Sequence, residues 1–127
     1  MRKLLIAKDK PEIRNLLRTE FTCSGWSPFC CGTFQDAINL INWTNITAII
    51  CGENFPDGTG RNLYQYLRSQ TDARRTIPFI FYTGYPWVLK FSKGYRDNLL
   101  LGIQATRHRP EADFQALHQA LQRLCPH

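Results

Sequence analysis

Short, almost wholly apolar runs alternate along this chain with longer segments whose apolar residues recur at helical spacing, and that alternation restricts the fold more than any other feature. KLLIA (3–7), ITAIIC (46–51) and IPFIFY (77–82) are the clearest runs. A strand with one wet face alternates apolar and polar residues, whereas a run apolar throughout is buried on both faces. WSPFCC (26–31) reads as an edge strand, because Pro28 cannot donate to a ladder. Between these lie four predicted helices. Residues 10–25 carry Ile13, Leu16, Leu17 and Phe21 on one face. Residues 33–43 carry Phe34, Ala37, Ile38 and Ile41, with Thr33 as cap. Residues 61–70 carry Leu63, Tyr66 and Leu67, and residues 111–124 carry Phe114, Leu117, Leu121 and Leu124. This order predicts one α/β domain over residues 1–127, with a parallel sheet covered by helices on both faces. Segment 87–109 is less regular. Either GIQATRHRP or NLLLGI supplies its last strand.

Ligands of such sheets collect at the carboxyl ends of the strands. Here those ends are Lys8-Asp9, Gly52-Glu53, Thr83-Gly84 and the residues before Pro110. Several other chemistries are disfavoured. Five cysteines form no CxxC pair, and an odd count in a domain with its own core argues against a disulfide framework. No Ser/His/Asp or Cys/His arrangement is visible, and GENFPDGTGRN does not match GxxxxGK followed by Ser or Thr. The chain is therefore not expected to be an enzyme. The apolar runs are too short for a membrane span, and the first one is too short for a secretory signal, so a cytoplasmic location is expected.

In order along the chain, LLIAKDKPEIRNLL, AIICGENFPDGTG, IPFIFYTG and GIQATRHRP resemble the motifs of the receiver domain of bacterial two-component response regulators (CheY-like). The resemblance covers essentially the full length. It implies a doubly wound, five-stranded parallel sheet with helices on both faces, the flavodoxin-like receiver fold. It also implies a role in phosphorelay signal transduction. The family carries an acid pair after the first strand, a phosphoacceptor aspartate after the third, a threonine after the fourth and a lysine before the last proline.

Residue by residue, this chain departs from that pattern. Gly52 stands at the phosphoacceptor position, and Lys8 replaces the first acid beside Asp9. Thr83 is kept. Arg109 takes the place of the lysine, and Thr106 that of the aromatic switch residue. Glycine has no group to phosphorylate, and Mg²⁺ wants several oxygen ligands. The resemblance so altered implies an atypical pseudo-receiver with no cofactor, its Mg²⁺ binding lost. Lys8 is expected to fill the metal's place and pair with Asp9. Glu53 is a surrogate acceptor only if its side chain reaches the pocket, and strand alternation turns it away. Cys51 is either a redox-sensitive thiol or an inert buried one. Asp57 is read as a turn residue ordering the loop.

The net charge of +6 lies wholly in the second half. Residues 1–59 contain six basic and six acidic side chains, whereas residues 60–127 contain ten and four. Lys90, Lys93, Arg96 and Arg107 are the candidate partner-binding residues. They fall on the family's usual output surface, the fourth helix, fifth strand and fifth helix. The expected partner is an acidic protein, a histidine kinase or an output-domain protein, with a homodimer through the same face as a further option. A phosphorylatable receiver using Glu53, and a nucleic-acid binder using the basic half with Trp43 and Trp87 for stacking, are the alternatives.

Overall fold

The computed structural model describes residues 2–106 and 109–126. Strands β1 (Lys3–Ala7), β2 (Ser27–Cys31), β3 (Ala48–Cys51), β4 (Phe79–Thr83) and β5 (Leu100–Gln104) alternate with helices α1 (Pro11–Cys23), α2 (Phe34–Trp43), α3 (Gly60–Arg68), α4 (Pro86–Lys93) and α5 (Phe114–Leu124). All pairings among the five strands are parallel, in the order β2-β1-β3-β4-β5. This is the doubly wound, flavodoxin-like arrangement. A short antiparallel ribbon, Asn54–Phe55 against Gly58–Thr59, joins β3 to α3.

Period-two alternation divides the core. Leu5, Ala7, Ile49, Cys51, Phe79 and Phe81 face α2, α3 and α4. Leu4, Ile6, Ala48, Ile50, Ile80 and Tyr82 face α1 and α5. Both sets are buried, so the central strands are apolar throughout; each Leu, Ile or Phe among them contributes roughly 1.5–3 kcal/mol on leaving water. Pro28 lies in β2, an edge strand bonded only to β1. Thr33 caps α2 by accepting from the Asp36 N–H.

Three expectations need correction. Leu16 is 43% exposed, because the buried stripe of α1 runs through Leu17 and Phe21, and one residue back along a helix is about 100° away. In α3 it is Tyr64, not Tyr66, that is fully inward: its ring packs edge-on against Phe79 and its hydroxyl donates to Asp97. Tyr66 stays near the surface and donates to Asn42. The last strand ends at Gln104, so GIQATRHRP supplies only its first three residues to β5. Its register is fixed by buried Leu100 opposite Phe79 and by Gln104 opposite Thr83.

Candidate functional site

The carboxyl ends of β1, β3, β4 and β5 open on a cleft of about 1020 Å³, lined by Lys8, Asp9, Glu53, Thr83, Gln104 and Thr106 among others. Lys8 dominates it. The residue is only 7% exposed, and its ammonium donates to the Tyr82 carbonyl at 2.9 Å and lies 4.9 Å from the centroid of the Tyr82 ring. The side chain thus leaves β1, crosses the end of β3 and reaches β4. Gly52 makes that crossing possible. A Cβ at 52 would stand 3.1 Å from both Cδ and Nζ of Lys8. Burial lowers the Lys8 pKa, and Cys51 and Asp9 oppose that shift.

The expected Lys8–Asp9 pair does not form. Among the described residues, the ion pairs are Arg61–Glu53, Arg68–Asp97, Arg74–Asp72 and His118–Glu20. Neighbouring residues at a strand end point to opposite sides, so Lys8 turns inward and Asp9 is left exposed. Glu53 borders the same cleft, but its carboxylate is held by α3. It is 2% exposed, its carboxylate meets Arg61 Nε at 3.0 Å and accepts from the Arg61 backbone N–H, and it anchors the first turn of α3. Gly60, at the start of α3, presses on the end of β3: a Cβ there would come within 2.1 Å of the Gly52 carbonyl oxygen. Asp57 does more than order a turn. Its carboxylate accepts from the Phe34 and Gln35 N–H groups at 2.7 and 2.9 Å, so the ribbon is tied to the start of α2. The Gln35 and Phe34 bonds hold its pKa below the ordinary carboxylate value.

The β4 side of the cleft is densely bonded. Thr83 is buried, and its hydroxyl oxygen accepts from the Tyr85 N–H at 3.2 Å. The Tyr82 hydroxyl donates to buried Asp113, which also accepts from the Thr106 N–H and hydroxyl. Burial, then the bond to Asp113, raises the Tyr82 pKa. Thr106 therefore serves as a fastening between β5 and the turn before α5. Sequence reasoning missed Tyr82 and Asp113. The parity of β4 places Tyr82 on the α1–α5 face, but nothing short of the fold brings residue 113 to it.

Arg109 does not join this site. The chain leaves β5 at Gln104, and Arg109 lies exposed before the turn Pro110–Asp113; its neighbour Pro110 lines the cleft, but Arg109 does not. Cys51 is fully buried and donates to the Gly52 carbonyl, and burial drives its pKa well up, which disfavours the reactive thiolate. Lys90 and Lys93 are exposed on α4, and Arg96 is exposed beyond its end. Arg107 lies outside the described residues. A contact the sequence did not signal joins α3 to α4: the Arg61 guanidinium stacks 4.4 Å from the Trp87 ring, and Trp87 is 46% exposed.

No family model matches the chain, and no curated protein matches it. Solved structures do. The chemotaxis response regulator CheY4 of Vibrio cholerae is 20% identical with a TM-score of 0.77, over 95% of this chain and 99% of that one. A sensor protein from Polaromonas is 17% identical with a TM-score of 0.76, over 98% of each chain. The signal receiver domain of a signal transduction histidine kinase from Syntrophus aciditrophicus is 21% identical with a TM-score of 0.76, over 99% of this chain and 92% of that one. Response regulators and signal receiver domains are thus among the neighbours, and at these identities the likeness establishes the fold.

Proposed function

We propose that this chain is an atypical receiver domain of two-component signalling that takes no phosphoryl group at the third strand and acts, without catalysis, by binding a protein partner. One observation carries the reading: the Lys8 ammonium lies across Gly52, with its Nζ 3.1 Å from where a Cβ would stand. A cation occupies the ground that a nucleophilic carboxylate and its Mg²⁺ would need. The donor set does not fit a hard dication either. Among the described residues there is no group of three or more His, Cys, Asp or Glu able to hold a metal, and Glu53 is committed to Arg61. Mg²⁺ binding is accordingly held to be lost.

The partner is an acidic protein, in keeping with the charge excess of residues 60–127, and a kinase or output domain of the same pathway is the natural source. Lys90, Lys93 and Arg96 give it an exposed cationic face. Among the described residues no helix is long and apolar enough to cross a membrane. The test is capture from native cell extract with wild type and with the triple variant Lys90→Glu, Lys93→Glu, Arg96→Glu. Loss of the same partners from the variant supports the reading. Identical capture by both proteins removes this face from it.

A further inference from the structure

Lys8 raises a second question, because no carboxylate among the described residues pairs with its charge. An ammonium removed from water is costly unless an anion or several hydrogen bonds replace the lost hydration. Among the described residues its partners are the Tyr82 carbonyl oxygen and the face of the Tyr82 ring 4.9 Å away, and the buried carboxylates nearby are used elsewhere. Glu53 is bound to Arg61, and Asp113 is bound to Tyr82 and Thr106. Asp9 is exposed. An ammonium has three donors, and one donation is accounted for. The residue also lines the open cleft rather than a sealed core.

The surroundings favour a negative guest. Thr83 lies in the lining; its oxygen accepts from Tyr85, which leaves its O–H to donate. Gly84 follows with no side chain, and nothing lies within 4 Å of where its Cβ would stand, so the floor of the cleft is open at that point. Lys10 sits on the rim, and Asp9 is the opposing charge there. A nine-tenths-buried ammonium with no carboxylate paired to it and a hydroxyl free to donate are elements of oxyanion recognition.

We infer that this cleft binds an oxyanion, a carboxylate or phosphate group seated on the Lys8 ammonium and the Thr83 hydroxyl. Its charge preference is thereby opposite to that of a metal-binding receiver pocket. The source is either a small free anion or an acidic side chain of a docked protein; both present the same group. The inference rests on the Lys8 geometry alone. It shares that geometry with the proposed loss of phosphorylation, and it is independent of the partner face on α4.

The experiment is an NMR titration of the intact chain, following backbone amides of residues 8–10 and 83–85. The probes are inorganic phosphate and a short acetylated, amidated peptide containing two aspartates. Lys8→Met keeps the stem and removes the charge. Gly52→Asp keeps the charge but offers it an internal carboxylate. Both variants are expected to bind the probe about 10- to 100-fold more weakly than wild type, the worth of one charge-assisted hydrogen bond. Lys10→Met, which removes a rim charge, should lose much less. Phosphate binding with that mutant pattern supports a free anion as the source. Peptide binding without phosphate binding supports an acidic side chain. Absence of saturable shifts with either probe at millimolar concentration overturns the inference, as does wild-type affinity in both Lys8→Met and Gly52→Asp. Two variants are used so that a folding failure in one leaves the other to decide.

Discussion

Two cations, Lys8 and Arg68, stand at opposite edges of the same sheet, and they are treated differently. Arg68, at the end of α3, donates to Asp97 at 2.7 Å and to the carbonyls of Arg75, Ile77 and Leu99. Asp97 in turn accepts from Tyr64 and from the Leu99 N–H. Charge and hydrogen bonds are saturated there, and the result fastens α3 to the starts of β4 and β5. Lys8, at the carboxyl edge, bridges strand ends with a single carbonyl and no carboxylate within ion-pair distance among the described residues. A matched buried charge is scaffolding. An unmatched one at the edge where ligands bind is a cost that function must justify.

Removing the match at Arg68 should have the largest effect. Asp97→Ala leaves a mostly buried guanidinium and the Tyr64 hydroxyl without their acceptor, and should cost about 3 kcal/mol in chemical denaturation. Its acid titration gives a second reading. Burial alone would raise the Asp97 pKa, but the bonds from Tyr64, Arg68 and Leu99 outweigh it and hold it below the ordinary value. A depressed folded pKa contributes stability that is present above the unfolded value of about 3.9 and is lost as pH falls through the folded one. Asp97→Asn should flatten that acid limb.

The Lys8 edge can be pushed toward the opposite regime. Gly52→Asp alone should form a salt bridge to Lys8 and still bind no Mg²⁺. Adding Lys8→Asp crowds acids together, which should cost about 2 kcal/mol without metal and be recovered with millimolar Mg²⁺. Calorimetric melting with and without Mg²⁺ checks both variants, and Mg²⁺ binding by the single variant would show that Lys8 does not guard the site. Lys8→Met should be neutral or stabilising by about 1 kcal/mol, since a buried charge gives way to an apolar chain of similar length. The sign in pH follows from its lowered pKa. The folded state binds the proton less well, so wild-type stability should rise with pH from the folded pKa up to the unfolded value of about 10.4. Lys8→Met should remove that rise.

The smallest effect belongs to the exposed cations. Changing Lys90, Lys93 and Arg96 to Glu should alter stability by no more than about 0.5 kcal/mol while slowing association with an acidic partner, most visibly at low salt.

The same contrast explains what could be read in the sequence. The four clear helices and the central strands were legible because burial on both sheet faces imposes unbroken apolar runs, and Gly52 and Lys8 were legible because strand ends deliver loops to one edge. Leu16 and Tyr66 misled because helical periodicity marks a stripe, not which member of an adjacent apolar pair is central to it. Arg109 misled because LLGIQ pairs with β4 earlier than the proline spacing suggested. The Tyr82–Asp113 and Arg68–Asp97 bonds join residues 31 and 29 positions apart, and no local pattern announces them.

The central claim is that the third-strand site takes no phosphoryl group. The direct measurement is intact mass after incubation with acetyl phosphate and Mg²⁺. The account predicts no phosphoryl mass gain in wild type or in Glu53→Gln. A stoichiometric gain in wild type that disappears in Glu53→Gln would contradict it, and would mean that the Glu53 carboxylate leaves Arg61 to serve as the acceptor.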